Sequence, residues 1–130
     1  MAIHIVRLGS PRARAEGVRI GTVRHPPRGV PKSAYAARDF YDVWLPNLAP
    51  SARLLKLARQ ATDAQSWRSF ARRYRAELRR PEPSRVLDLL AALSHTSAMS
   101  LGCYCPDERR CHRSLLRESL AERGAALEQA

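Results

Sequence analysis

The sequence predicts one small α/β domain, with an at least partly parallel sheet of about four strands packed with about four helices. The length of 130 residues suits a single domain. Short extended segments separated by glycine and proline occupy residues 2–48, whereas helical periodicity dominates residues 50–96. A strand, a polar turn and a helix then close the chain. We therefore expect one domain over residues 1–130, with residues 125–130 forming a frayed tail.

Three extended segments come first. Residues 2–8 alternate apolar and polar side chains, residues 18–23 end before a proline pair, and residues 40–45 are halted by Pro46. These patterns predict strands, because proline cannot continue a hydrogen-bonded ladder. The loop between the first two segments is polar, and we expect its side chains, among them Glu16, to be exposed.

Three amphipathic segments follow. The first begins at Ser51, and the second is capped by Asp63 and covers residues 64–78. Apolar side chains in the second recur at intervals of three and four residues, so that one stripe faces the core. The third helix opens at Pro83-Ser84. Its predicted buried residues are Val86, Leu87, Leu89, Leu90 and Leu93.

The last part of the chain predicts a strand over residues 99–105, a polar turn over residues 106–110, and a helix from about Cys111 to Arg123. Gly124 is a typical helix stop. In open α/β sheets, ligands collect where parallel strands end and helices begin. We therefore expect the site at the carboxyl edge of the sheet.

The charge balance favours a polyanionic partner. Lys and Arg number 23 and Asp and Glu number 12, which gives a formal net charge of +11. Nucleic acid or a phosphate-bearing small molecule fits that charge. Only two of the basic residues are lysines, so the charge is also typical of a GC-rich coding bias.

The sequence predicts a cytoplasmic protein without a membrane partner. No apolar run approaches the roughly 18 residues that would span a bilayer. The first residues reach an arginine too early for a secretory signal, so we expect mature structure from the start.

The three cysteines are clustered within nine residues, as Cys103, Cys105 and Cys111. An odd, crowded set favours thiol or metal chemistry over a disulfide framework. Near a helix N-terminus and Arg113, a thiolate at Cys111 would be stabilised. We predict Cys105 or Cys111 as the nucleophile, with His112 near enough in sequence to act as base. Cys103 also fits the simpler role of a small buried strand residue.

A metal site is the alternative use of the same residues. Cys103, Cys105, Cys111 and His112 form a Cys3His set suited to zinc. Their spacing is unusual for zinc, and the adjacent side chains of Cys111 and His112 are expected to diverge on a helix. We therefore assign no metal and no cofactor in the leading hypothesis.

Basic and aromatic residues near the predicted strand ends are candidates for holding an anion. Some of these candidates lie in predicted loops or at strand ends, two lie on the second helix, and one lies on the last helix. The predicted ligand-binding residues are Arg24, Arg28, Lys32, Trp44, Arg73, Tyr74 and Arg113.

Ordered motifs over nearly the whole chain resemble a known family. They are residues 24–32 (RHPPRGVPK), residues 42–51 (DVWLPNLAPS), the Trp67 to Leu78 pattern, and Cys105 followed by the Cys-His-Arg of residues 111–113. Together they resemble the family of domains of unknown function 488 (DUF488), in its YeaO-like branch. The resemblance implies a compact single-domain α/β fold and an intracellular bacterial or archaeal protein, and it implies no particular activity.

The leading hypothesis is a small α/β protein that binds a phosphate-bearing ligand, a nucleotide or nucleic acid, and carries a reactive cysteine at the same edge. Whether it is an enzyme is left open. Two alternatives remain: a non-enzymatic basic module that binds nucleic acid with purely structural cysteines, and a structural Cys3His zinc site. Motifs for Walker-type nucleotide hydrolysis, dinucleotide binding, zincin chemistry and nucleophile-elbow esterases do not occur in the sequence.

Overall fold

The computed structural model describes residues 2–128, which form a four-stranded parallel sheet packed with four helices. The spatial order of the strands is β1-β4-β2-β3, and every pairing is parallel. The predicted single α/β domain is confirmed. The strands are β1 (Ile3–Arg7), β2 (Val18–Gly21), β3 (Val43–Trp44) and β4 (Met99–Cys103).

Strand β4 is the centre of the sheet, and all five of its residues are buried. Leu101 lies opposite Ile5 on β1 and opposite Ile20 on β2. Gly102 has no room for a side chain, because a Cβ there would lie 2.6 Å from a methyl group of Leu8. An apolar strand buried on both faces is what a parallel sheet covered by helices requires.

The helices are α1 (Ala52–Gln60), α2 (Ala64–Leu78), α3 (Pro81–Leu93) and α4 (His112–Glu122). Ser51 and Asp63 cap α1 and α2 through their side-chain oxygens, as predicted. Helix α3 begins at Pro81, two residues before the predicted start, because proline is well tolerated in the first turn.

Two of the predicted core residues on α3 are in fact on the surface. Leu89 is 57% exposed and Leu93 is 40% exposed, whereas Leu87 and Leu90 are buried. The apolar residues of α3 span more of the helix circumference than its neighbours α2 and α4 can cover.

Strand β3 is shorter than the predicted strand over residues 40–45. Asp39, with φ of 61°, turns the chain just before it. Tyr41 then packs against Gly21 instead of extending the ladder, and a Cβ at Gly21 would lie 2.4 Å from the Tyr41 ring. Only Val43 and Trp44 pair with β2.

The end of the chain pairs with the sheet edge where the sequence predicted a frayed tail. Ile3 donates a backbone hydrogen bond to Ala126 and accepts one from Glu128. Residues 129 and 130 lie outside the described part of the chain. Among the described residues, no helix combines the length and apolarity needed to cross a bilayer.

A buried ion pair fixes the loop that the sequence predicted to be exposed. Glu16 is 4% exposed, and its Oε1 accepts a hydrogen bond of 2.7 Å from Nη2 of the fully buried Arg19. Nη1 of Arg19 also donates to the carbonyl groups of Ser10 and Asp39. The expectation was wrong for Glu16, because Arg19 points inward from β2 and needs a buried anion, whereas residues 13–15 of the loop are exposed.

Candidate functional site

A cleft of about 600 Å³ opens at the carboxyl edge of the sheet. Its walls come from the segment after β2, the end of β4, the turn before α4, and one face of α1. Parallel strands direct their carboxyl ends to the same edge, which explains why segments distant in sequence meet here.

The walls of this cleft are positively charged. Among the described residues that line it are four arginines and no aspartate or glutamate. Arg28, Arg59 and Arg110 are exposed. Arg24 is half-buried, and its guanidinium donates to the carbonyl groups of Ala49 and Pro50 at 3.0 and 3.1 Å. The cleft therefore favours an anionic ligand.

Two buried thiols lie against each other beside the cleft, and the third lines it. The Sγ atoms of Cys103 and Cys111 lie 2.8 Å apart, and both residues are buried. Cys105 is exposed and lines the cleft two residues beyond Cys103. An incoming ligand can therefore reach the Cys105 thiol first.

Cys111 and His112 converge, contrary to the expected divergence. Sγ of Cys111 lies 3.8 Å from Nδ1 of His112. The reason is local: Cys111 has φ of −131° and ψ of 154°, so it is the extended residue before α4 and not part of its first turn. The helical rotation of about 100° per residue therefore does not separate the two side chains.

His112 is held in one tautomer by the backbone. Its Nε2 lies 2.8 Å from the carbonyl oxygen of Thr22, which can only accept, so Nε2 carries the proton. Nδ1 is then free to exchange a proton with Cys111. The Tyr74 ring packs edge-on against the imidazole with centroids 5.7 Å apart, and the Tyr74 hydroxyl donates to Leu48.

Arg113 places a buried positive charge behind the thiols. It is 3% exposed, and its Nη2 donates to the Cys105 carbonyl at 2.6 Å. Its Nε finds no hydrogen-bond partner within the described part of the chain. A buried guanidinium with so few partners favours a negative charge nearby, which a thiolate supplies.

The three thiols have different acidities. The neighbouring Cys103 and Cys111 thiols hold the pKa of Cys105 well below its usual range, with Arg113 adding to the effect. The pKa of Cys103 is raised by the other two thiols and by burial. The pKa of Cys111 is lowered as well, chiefly by its hydrogen bond to Cys103, so Cys103 is the thiol that stays protonated.

The spacing of the sulfur and imidazole donor atoms can be compared with that of a zinc site. The donor atoms of Cys103, Cys111 and His112 lie within 4.8 Å of one another. Two thiolates on one tetrahedral zinc, each at about 2.3 Å, would be about 3.8 Å apart. The observed separation of 2.8 Å is shorter, so the two sulfurs do not have the spacing of two ligands on one tetrahedral zinc ion.

The structure divides the predicted site residues into three groups. Arg24, Arg28, Cys105 and His112 line the cleft. Cys111, Arg113 and Tyr74 are buried behind it.

The third group, which consists of Lys32, Trp44 and Arg73, does not line the cleft. Lys32 and Trp44 line a separate pocket of about 300 Å³, and indole Nε1 of Trp44 donates to the Val23 carbonyl. Arg73 is exposed on α2 and is not among the residues that line either pocket. Its helix contacts α1 and α4.

Sequence reasoning missed several residues of the cleft, among them two of its four arginines, Arg59 and Arg110. Arg59 faces it from the last turn of α1, together with Leu55 and Ala58. That i, i+3, i+4 spacing was visible in the sequence and could have indicated a shared face. Phe40 and Tyr104 form an edge-to-face pair in the wall, and no local pattern connects them.

Comparison with known proteins identifies the family. Searches of curated proteins and of solved structures found no match. A family model described as the active DUF488-N3 subclade matches residues 3–124. The resemblance to the YeaO-like branch stays a prediction at that finer level. Since the match covers nearly the whole chain, the chain belongs to the DUF488 family.

Proposed function

We propose that this domain binds a phosphate-bearing ligand in the arginine-lined cleft and that Cys105 acts there as a nucleophile. The observation that carries the proposal is the exposed Cys105 thiol in the lining of a cleft with four arginines. An enzyme that attacks an anionic substrate needs both features in one place.

The walls fit a small organic phosphate. Arg28, Arg59 and Arg110 offer exposed guanidinium groups, which pair with phosphate oxygens in a bidentate geometry. Phe40 and Tyr104 supply aromatic surface beside them, suited to a flat organic group. A volume of about 600 Å³ is within the usual range for sites of nucleotide-sized ligands.

The chemistry assigns separate roles to the thiols. Cys105 is the reacting thiolate, because it is exposed and its pKa is lowered. His112 is not the base for Cys105, since its Nδ1 faces Cys111 and its Nε2 donates to the carbonyl group of Thr22. His112 therefore holds a proton for Cys111, and Tyr74 positions the imidazole.

Binding of adenosine monophosphate, measured by calorimetry on reduced and metal-checked protein, tests the ligand class. Arg28→Ala should weaken binding about tenfold, which corresponds to about 1.4 kcal/mol for one phosphate contact. Arg72→Ala, on an exposed face of α2, is the matched control and should leave the affinity unchanged. Equal affinities in both variants, or no binding by the native protein, would contradict the proposal.

Non-enzymatic nucleic-acid binding is the second candidate, favoured by exposed arginines on α2. Arg68, Arg72 and Arg73 are all on the surface of this helix. Such binding should weaken steeply with salt, and the Cys105→Ser/Cys111→Ser double variant should bind as the native protein does. Loss of binding in the double variant would count against this candidate.

We also propose a cytoplasmic location. The three cysteines are free, and two of them are buried with their sulfurs 2.8 Å apart. A reducing compartment keeps such a pair as thiols. The test is the number of free thiols per chain, compared between protein prepared from the cytoplasmic fraction and protein prepared from an oxidising fraction of a host cell.

A further inference from the structure

We infer that Cys103 and Cys111 form a dithiol that closes to a disulfide when Cys105 exchanges with a small external disulfide bearing acidic groups. The inference rests on the proposed function, since it uses the same cleft and the same nucleophile. It goes further by giving the site a redox activity and by naming the class of substrate.

The buried pair is already close to bonding geometry. The two Sγ atoms lie 2.8 Å apart, and a disulfide bond is about 2.05 Å long, so closure needs a movement of about 0.8 Å. Cys103 ends β4 and Cys111 immediately precedes α4, with a turn between them. The turn can absorb that movement without displacing either element.

The three thiols differ in solvent exposure, so one can react with an external disulfide and the other two form the buried pair. Cys103 is 1% exposed and Cys111 is 3% exposed, so a bulky disulfide cannot reach them directly. Cys105 is exposed in the cleft, whose lining also includes Cys103. An external disulfide must therefore react at Cys105 first.

The exchange then proceeds in three balanced steps. The Cys105 thiolate attacks one sulfur of the external disulfide, forming a mixed disulfide and releasing one external thiolate. Cys111 then loses its proton, through Nδ1 of His112, to the first external thiolate. The Cys111 thiolate attacks Sγ of Cys105 and releases the second external thiolate. Cys103 gives its proton to the second thiolate and attacks Sγ of Cys111, which restores the Cys105 thiolate.

The net reaction needs no further oxidant. One external disulfide is reduced to two thiols, and the Cys103 and Cys111 thiols are oxidised to one disulfide. The reverse direction oxidises two external thiols at the expense of the protein disulfide. The reduction potential of the pair determines which direction prevails.

The charge of the cleft selects the substrate. Arg24, Arg28, Arg59 and Arg110 line it, and no acidic residue does so among the lining residues that the structure describes. A disulfide that carries carboxylates or phosphates is attracted, and a disulfide that carries ammonium groups is repelled. The cleft volume of about 600 Å³ restricts the substrate to a low-molecular-weight disulfide.

The test compares two small disulfides of opposite charge, glutathione disulfide and cystamine, on reduced and metal-checked native protein. Mass spectrometry follows the loss of two hydrogens, and peptide mapping locates the new bond. We expect a Cys103–Cys111 disulfide, formed about tenfold faster with glutathione disulfide at low salt. Added salt should reduce that ratio.

Two variants test the order of the steps. Cys111→Ser should accumulate a glutathionyl group on Cys105, because the second step is blocked. Cys105→Ser should close the buried pair at least tenfold more slowly. The charge comparison on the native protein remains decisive if either variant fails to fold.

Three results would overturn the inference: no loss of hydrogens in the native protein, cystamine reacting as fast as glutathione disulfide, or stoichiometric zinc bound by the cysteines. Binding of adenosine monophosphate is measured on the same preparation. If it binds and the pair does not close, the redox inference fails and the proposed ligand class stands. If the pair closes without such binding, the phosphate assignment fails instead.

Discussion

The substitution Arg113→Met removes the buried positive charge behind the thiols and keeps a side chain of similar length. In the native protein, Nη2 of Arg113 donates to the Cys105 carbonyl at 2.6 Å, and the residue is only 3% exposed. We expect the substitution to raise the pKa of Cys105, because one of the groups that stabilise the thiolate is lost.

The magnitude follows from Coulomb's law. Two unit charges 4 Å apart interact by about 4 kcal/mol at an effective dielectric of 20. Water around the exposed Cys105 thiolate screens that interaction, and we take about a third of it, about 1.4 kcal/mol. One pKa unit corresponds to about 1.36 kcal/mol, so the pKa of Cys105 should rise by about one unit.

The assay is the pH dependence of Cys105 alkylation by iodoacetamide, resolved by residue with mass spectrometry. The midpoint of the profile should move upward by about one unit, so that the rate on the acidic limb falls about tenfold. Arg85→Met, on an exposed part of α3, is the control and should leave the profile unchanged. An unchanged midpoint in Arg113→Met would refute the assigned role of the buried guanidinium.

Three further substitutions test the scaffold, each by urea unfolding. Tyr74→Phe leaves a buried carbonyl of Leu48 without its donor and should cost about 1–3 kcal/mol of stability. Gly102→Ala forces a Cβ to within 2.6 Å of a Leu8 methyl and should cost about 1–3 kcal/mol. Burial raises the pKa of Glu16, but hydrogen bonds from the Ala13 amide and from Arg19 outweigh it and leave the pKa below 4.5. The stability that Glu16 contributes is therefore present above its unfolded pKa of 4.5 and lost as the pH falls through the lower folded value. The Glu16→Gln variant should be less stable than the native protein at neutral pH, and its stability should no longer fall with pH in this range.

The sequence predicted the fold where local chemistry determines it. Ser51 and Asp63 cap their helices through side-chain oxygens, and this depends only on the next few residues. The parallel sheet followed from the alternation of strands and helices. Glu16 was misjudged because its burial depends on Arg19, whose inward direction is a tertiary property.

The candidate site was predictable in part for the same reason. The position of Arg28 and Cys105 after parallel strands is enough to place both at one edge of the sheet. Cys111 follows the end of β4 after a short turn, so its return toward Cys103 was predictable, whereas its extended backbone at the start of α4 was not. Trp44 ends a strand at that edge too, yet its indole donates to Val23 and lines a different pocket.

Alkylation of Cys105 in the presence and absence of adenosine monophosphate shows whether an activated thiol and a phosphate-binding cleft form one site. We expect rapid reaction of Cys105 below the pH of about 8.5 at which an ordinary thiol ionises. We also expect protection by adenosine monophosphate and none by adenosine, which lacks the phosphate. The contrary result is a Cys105 that titrates as an ordinary thiol and reacts equally fast with and without the nucleotide.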